Sequence, residues 1–196
     1  MDDSSLERSC FSGRFIIWVD SFCCQPFLGE TVDKELYLCK IDSDYLKYLH
    51  SFDNKVSVKY TNRPFVCLIT MINDKTYALP LTSQTTQDRK KRGKKKRANI
   101  ITTFIKDSSG EEISNILHNN MIPVSEINYV PISINAQIDT YESNEIRYIR
   151  KHKEQIIKKA QKVYEMRIDG KNKFICSQCC DFKLLEEKSE EYNKIN

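Results

Sequence analysis

Residues 64–83 constrain the fold of this chain most strongly, because they predict a β-hairpin that includes a buried strand. Phe65–Ile72 is a nearly continuous run of apolar and β-branched residues, which is typical of a strand buried on both faces. Asn73 and Asp74 tolerate the left-handed backbone that a short turn requires. Thr76–Leu81 then forms the second strand of the hairpin. Because Pro80 cannot donate a ladder hydrogen bond, we expect the second strand to fray there or to lie at a sheet edge.

Thr82 and Ser83 follow this hairpin directly and emerge at the rim of the predicted sheet. Two interpretations of the pair are equally supported. Either the hydroxyls face a ligand, or they form hydrogen bonds within the turn in which they lie.

The other segments predict an α+β protein. Asp44–Phe52 carries apolar residues at helical spacing after acidic capping residues, and so predicts an amphipathic helix. Four further segments are strand-like: Glu35–Ile41, Ile100–Ile105, Asn119–Val124 and Tyr129–Ile138. Five or six strands with one early helix predict a compact, strongly twisted antiparallel sheet or open barrel.

A long helix with a basic face is predicted from Tyr141 onward, and Gly170 is placed to end it. One face is apolar and consists of Ile146, Ile149, Ile156, Ala160 and Val163. The opposite face is rich in lysine and arginine. The last segment, Phe182–Ile195, predicts a shorter and more acidic helix.

Charge is concentrated in one stretch. The chain has a formal net charge of +4, but residues 89–97 hold eight basic side chains in nine positions. A solvated loop, expected to span Gln84–Asn99, is the ordinary interpretation of such a run. Its position directly after Thr82–Ser83, together with the basic helix face, favours a polyanionic ligand instead.

Composition narrows the class of protein further. No apolar run approaches the roughly 20 residues of a membrane-spanning helix, so we expect a cytoplasmic protein with no membrane partner. Cys176-x-x-Cys179-Cys180 resembles half of a zinc site, but zinc requires four ligands. We therefore expect reduced structural thiols, no metal and no cofactor. Residues 1–31 show no sustained hydrophobic periodicity, and we expect them to form an N-terminal extension. This extension is either loosely ordered or lies upstream of a true start at Val32. A single domain is expected at residues 32–196.

RNA can be cleaved without a metal when its own 2′-hydroxyl attacks the adjacent phosphate. That reaction needs proton transfer and groups that stabilise the developing charge. Thr82, Ser83, Arg63, Tyr60 and a lysine of the following loop are candidates for those groups. Tyr45, Tyr60 and Tyr148 are candidates for stacking on unpaired bases, although isolated tyrosines are more often half-buried core residues.

Five segments then occur in a recognisable order: Asp44–Leu49, Arg63–Val66, Tyr77–Ser83, Asn120–Val124 and Tyr148–Arg150. In these segments, and over residues 35–190, the chain resembles the ToxN/AbiQ endoribonucleases of type III toxin–antitoxin and phage abortive-infection systems. The resemblance implies a twisted antiparallel sheet similar to the MazF/Kid toxins. It also implies metal-independent cleavage of RNA, including mRNA, that leaves a 2′,3′-cyclic phosphate. The implied partner is a repeated, pseudoknotted RNA antitoxin, in a ring-like assembly of three toxins with three RNAs.

By the same resemblance, Thr82 and Ser83 take the active-site hydroxyl positions. Tyr45, Tyr60 and Tyr141 match active-site tyrosines, and Arg63 stands where a lysine is usual. One departure is notable, because the family pattern continues Thr-Ser-Pro-Lys whereas this chain continues with Gln84. We expect Lys90, or else Lys91, to replace the missing lysine; otherwise the protein is impaired. The residues expected to contact RNA are Lys47, Arg89, Lys91, Arg92, Lys94, Lys95, Lys96, Arg97, Tyr148, Arg150, Lys151 and Lys158.

Two alternatives to a nuclease stay open. The missing lysine permits a non-catalytic RNA-binding module. A protein-interaction or structural domain is permitted if the basic run only keeps the surface solvated.

Overall fold

One antiparallel sheet forms the framework of the computed structural model, which describes residues 38–58, 66–132 and 141–195. Its strands are β1 (Leu38–Ile41), β2 (Val66–Ile72), β3 (Lys75–Thr82), β4 (Thr102–Lys106), β5 (Glu112–Leu117), β6 (Ile122–Pro123) and β7 (Tyr129–Pro131). The strand order is β4-β5-β3-β2-β1-β7, and β6 also pairs with β3. The sheet curls into a half barrel, which confirms the predicted twisted antiparallel architecture.

Helices complete the α+β fold. They are α1 (Ser43–Phe52), α2 (Thr86–Lys91), α3 (Tyr141–Lys151), α4 (Lys153–Asp169), α5 (Lys173–Gln178) and α6 (Phe182–Ile195). Helix α1 begins as the sequence predicts, because Asp42 Oδ1 accepts hydrogen bonds from the backbone N–H groups of Asp44 (3.0 Å) and Tyr45 (2.8 Å). Helix α6 coincides with the predicted acidic segment.

The central hairpin forms as predicted, with one correction. Asn73 and Asp74 have φ values of 47° and 62°, the left-handed conformation that the tight turn needs. Strand β3 is nevertheless central rather than at an edge. It pairs with β2 on one side, and on the other side with β6 at Tyr77–Ala78 and with β5 at Leu81–Thr82. Pro80 lies in the gap between β6 and β5, where its missing N–H breaks neither of those two ladders.

The long predicted helix is in fact two helices. Helix α3 ends at Lys151 and α4 begins at Lys153, with a non-helical ψ of 18° at His152 between them. The predicted apolar face is buried on both sides of this break. The apolar spacing does not record the break, because Ile149 and Ile156 are seven residues apart, which is two turns along one face of a continuous helix. Gly170 ends α4 with a φ of 70°, as predicted.

A buried carboxylate ties the sheet to the C-terminal helices. The hydroxyl groups of Tyr77 on β3 and Tyr164 on α4 both donate hydrogen bonds of 2.7 Å to Glu186 on α6. The ammonium groups of Lys75 and Lys183 lie 3.2 Å and 3.1 Å from the same carboxylate. These contacts hold the helical layer against the strand that leads to Thr82 and Ser83.

Candidate active site

The two predicted hydroxyls lie at the end of β3. Thr82 pairs with Asn115 of β5 and is partly buried, whereas Ser83 is exposed. The backbone N–H of Gln84 donates a long hydrogen bond of 3.3 Å to Thr82 Oγ1, so Thr82 stabilises its own turn. The Ser83 hydroxyl has no hydrogen-bond partner within the described ranges. The Ser83 side chain is therefore open to solvent.

The Gln84 carbonyl fixes the backbone that follows Ser83. It accepts hydrogen bonds from Asn115 Nδ2 at 2.8 Å and from Arg97 Nη1 at 2.9 Å. Asn115 is completely buried on β5. These two bonds fix the backbone after the strand end and bring the cationic Arg97 to the residue that follows Ser83.

Asn115 was missed by the sequence analysis, which predicted no strand at Glu112–Leu117 and gave Asn115 no role. The available signal was a polar pair, Ser114 and Asn115, flanked by the β-branched residues Ile113 and Ile116. Arg97 was predicted as an RNA contact, but its position beside Gln84 could not be inferred from a run in which eight of nine residues are basic.

Part of the basic run is a helix rather than the predicted loop. The Thr85 hydroxyl accepts a hydrogen bond from the Asp88 N–H, and the Asp88 carboxylate accepts one from the Thr85 N–H, a capping box that begins α2. Lys90 is exposed at the end of α2 and lines a cleft with Thr85, Glu111 and Glu112. No described contact links Lys90 to Thr82 or Ser83, so its predicted catalytic role stays a prediction.

Tyr141 approaches β5 from the helical layer. It is the first residue of α3, and its hydroxyl donates a 3.0 Å hydrogen bond to the carbonyl of Ile113 on β5. Ile113 is two residues from Asn115, which corresponds to about 7 Å along a strand. Burial raises the pKa of Tyr141 to about 12, and the nearby Glu145 carboxylate contributes to the rise. The structure thus brings Tyr141, as a protonated hydroxyl at neutral pH, to β5, the strand that pairs with Thr82 of β3.

Tyr45 occupies a different environment from the one predicted. Its side chain is fully buried, and its hydroxyl donates to the Pro123 carbonyl at 2.6 Å and lies 2.8 Å from Ser189 Oγ. Burial raises the pKa of this hydroxyl strongly. A residue held in this way cannot stack on an unpaired base without leaving the core. The geometry therefore corrects the stacking interpretation, while the active-site role that the resemblance implies for Tyr45 stays a prediction.

Of the other predicted residues away from the basic run, some lie outside the described residues and the rest lie on helices α1, α3 and α4. Tyr60 and Arg63 lie outside the described residues, as does the expected N-terminal extension. Lys47 is exposed and forms a 2.8 Å ion pair with Asp44, and Arg150, Lys151 and Lys158 are exposed on α3 and α4. Tyr148 is partly buried, and its ring lies against His152 with the ring centroids 4.3 Å apart.

The cysteines at the C-terminal end of α5 serve the packing of that helix. Cys179 and Cys180 are buried, and burial raises the pKa of the Cys179 thiol to about 11. Residues 38–58, 66–132 and 141–195 contain no group of three or more His, Cys, Asp or Glu side chains arranged to hold a metal ion. No helix in these ranges is long and apolar enough to cross a membrane.

Comparison with known proteins places this geometry in a family. A family model described as toxin ToxN of the type III toxin–antitoxin system matches residues 37–190. The chain is 30% identical over 168 residues to the endoribonuclease ToxN of Bacillus thuringiensis subsp. kurstaki, a match that covers 79% of this chain and 82% of that relative.

Two solved structures share the fold. One, from work on selective inhibition of a bacterial type III toxin by a non-coding RNA pseudoknot, has a TM-score of 0.69 and 28% identity, and covers 81% of this chain and 98% of its own. The other is AbiQ, a lactococcal anti-phage endoribonuclease, with a TM-score of 0.67, 26% identity and the same coverage. The extent of the family match shows that this chain belongs to the ToxN family of type III toxin–antitoxin toxins.

Proposed function

We propose that this protein is an endoribonuclease toxin that cleaves RNA at the end of β3 and is inhibited by an RNA antitoxin. The observation that carries the proposal is the exposed Ser83 hydroxyl beside a strand end that Asn115 and Arg97 fix through the Gln84 carbonyl. Relatives of the same family are named endoribonucleases. A rigid strand end is a suitable platform for chemistry that depends on alignment more than on a cofactor.

The proposed reaction is attack of a 2′-hydroxyl on the adjacent phosphate, without a metal. The O2′–P bond forms, the P–O5′ bond breaks, and the products are a 2′,3′-cyclic phosphate and a 5′-hydroxyl end. Thr82 and Ser83 donate hydrogen bonds to the phosphate oxygens, and Arg97 and Arg63 offset the charge that accumulates there. Tyr141 and Tyr60 are the candidates for transferring protons to and from the reacting oxygens.

The proposed inhibitor is a folded RNA with a pseudoknot. This proposal is supported by the solved relative whose type III system involves selective inhibition by such an RNA. The exposed basic side chains of α2, α3 and α4 supply the charge complementarity that phosphates require. We further propose cytoplasmic action on mRNA and a ring of three toxins with three RNAs, which rest on the family resemblance alone.

A non-catalytic RNA-binding module is the second candidate, favoured by one observation. Gln84 and Thr85 follow Ser83 where the family pattern has Pro-Lys, and no described contact returns Lys90 to that position. Expression in a bacterial host distinguishes the two functions. A nuclease toxin will arrest growth, and co-expression of the antitoxin repeats encoded beside the gene will relieve the arrest.

Single substitutions at the strand end test the site. We expect Ser83→Ala and Thr82→Ala to abolish growth arrest while RNA binding is retained. Ser51→Ala is a matched control, because Ser51 is exposed and its hydroxyl only donates to the Tyr48 carbonyl within α1. Growth arrest that persists in both strand-end variants would remove Thr82 and Ser83 from the mechanism.

A further inference from the structure

A basic cleft with an exposed phenylalanine in its lining lies between the basic run and α5. The cleft measures about 450 Å³, and its lining includes Arg89, Lys95, Lys96 and Arg97 from the basic run. Phe174 and Gln178 of α5 also line it, as does Asn119 of the 3₁₀ turn His118–Asn120. None of the described residues in the lining is acidic. The charge of the cleft therefore suits a polyanion.

Phe174 is the unusual member of this lining. Its side chain is 45% exposed, whereas its neighbour Ile175 is fully buried and anchors α5 to the core. Burial of a phenylalanine side chain stabilises a fold, and Phe174 forgoes much of that gain. A single exposed aromatic residue is common on protein surfaces, but one that borders four cationic side chains has the composition of a site for unpaired nucleotides.

Both walls of the cleft are held in place before any ligand arrives. The Asn119 side chain donates a 3.1 Å hydrogen bond to the Gln178 carbonyl, and the Cys180 N–H donates one of 2.9 Å to the Asn119 carbonyl. On the basic side, Arg89 Nε donates to the Lys95 carbonyl at 2.9 Å, and Lys96 Nζ lies 4.9 Å from the centroid of the Phe104 ring. A preorganised site loses little conformational entropy when it binds a flexible strand.

We propose that this cleft binds an unpaired nucleotide of single-stranded RNA, whose base stacks on Phe174 while its flanking phosphates contact the basic wall. The inference rests on the proposed function, and it extends the RNA-binding surface from the basic run to α5. Gln178 lines the same cleft as Phe174, and its side-chain amide is a candidate to bond the edge of the stacked base. Base stacking on Phe174 and phosphate contacts with the basic side chains are therefore two interactions that can be removed separately.

The test compares two fluorescent ten-nucleotide probes with 2′-O-methyl sugars, which 2′-hydroxyl attack cannot cleave. One is oligouridine and the other is its abasic equivalent with the same phosphates. We expect Phe174→Ala to weaken binding of oligouridine about tenfold and to leave the abasic probe unchanged, because only the first has a base to stack. Phe174→Trp will restore the affinity. Lys96→Gln will weaken both probes alike, most strongly at low salt.

Phe52→Ala is the matched control, since Phe52 is 41% exposed on α1 and does not line the cleft. Equal effects of Phe174→Ala on the two probes, or no effect on either, would overturn the inference. So would wild-type protein that binds both probes equally well. RNA cleavage by the wild type is measured separately. If binding depends on Phe174 but the RNA is not cleaved, the nuclease function is rejected. If the RNA is cleaved but binding does not depend on Phe174, the proposed nucleotide site in the cleft is rejected.

Discussion

Truncation of Asn115 is the substitution that most clearly separates the chemistry of the strand end from the stability of the fold. The side chain is fully buried, and its Nδ2 donates the 2.8 Å hydrogen bond to the Gln84 carbonyl. Its Oδ1 is buried too, and has no hydrogen-bond partner among the described residues. Asn115→Ala therefore removes one support of the backbone after Ser83 and also removes an unpaired polar atom.

The expected loss of stability is modest for a buried position. A buried neutral hydrogen bond contributes about 1 kcal/mol net, and the vacated space adds a cavity penalty. Removal of the unpaired oxygen offsets part of this loss, because burial of a polar atom without a partner opposes folding. We expect the free energy of unfolding to fall by about 1–2 kcal/mol. Activity should suffer more, since a displacement of about 1 Å at a reacting centre can reduce the rate about a hundredfold.

The assay measures kcat on a fluorogenic single-stranded RNA and the urea midpoint of the same preparations. Ile116→Val is the matched control on β5, because Ile116 is also fully buried and its truncation costs a similar 0.5–1.5 kcal/mol, roughly. We expect Asn115→Ala to lose about a hundredfold in kcat and Ile116→Val to stay near wild type. Equal activity of the two variants at equal stability would refute the role assigned to the Gln84 carbonyl.

Three further outcomes are expected. Tyr45→Phe will lower the free energy of unfolding by about 1–3 kcal/mol in urea titrations, because the Pro123 carbonyl and Ser189 lose a buried partner; an unchanged midpoint would show that these two hydrogen bonds do not stabilise the fold. Burial, helped by the charge of Lys159, lowers the pKa of His118 to about 3 from its usual 6.5, so the stability this residue confers above pH 6.5 will be lost as the pH falls toward 3, at about 1.4 kcal/mol per pH unit. His118→Asn will flatten that part of the stability–pH curve, and identical slopes would reject the assignment. Lys90→Gln tests the predicted replacement of the missing lysine: we expect kcat to fall about a hundredfold, whereas a kcat within about twofold of wild type would remove Lys90 from the reacting centre.

The sequence predicts the framework of this fold well because its signals there are local. The continuous apolar run ahead of Asn73–Asp74 defines the central hairpin, and Asp42, Gly170 and the apolar spacing of Phe182–Ile195 mark helix ends and faces. Helix α2 was missed because its capping box, Thr85 with Asp88, lies in a segment dominated by charge. The central position of Pro80 depends on which strands approach β3 from its far side, and no local pattern records that.

The candidate site was only partly predictable for the same reason. Thr82 and Ser83 follow a strand, so their place at its end can be read directly from the chain. Asn115 and Arg97 reach Gln84 from residues 31 and 13 positions away, and such contacts exist only once the sheet has formed. The burial of Tyr45 depends on α6 packing over α1, which the sequence order of the two helices does not reveal.

Cleavage of RNA by the purified protein in excess chelator tests the central claim most directly. A susceptible transcript is incubated with the wild type and with Ser83→Ala in EDTA, and the ends of the products are identified by mass spectrometry. We predict discrete fragments with 2′,3′-cyclic phosphate and 5′-hydroxyl ends from the wild type, and intact RNA from the variant. A transcript that stays whole with the wild type, or is cut only after a divalent metal is restored, would contradict the account.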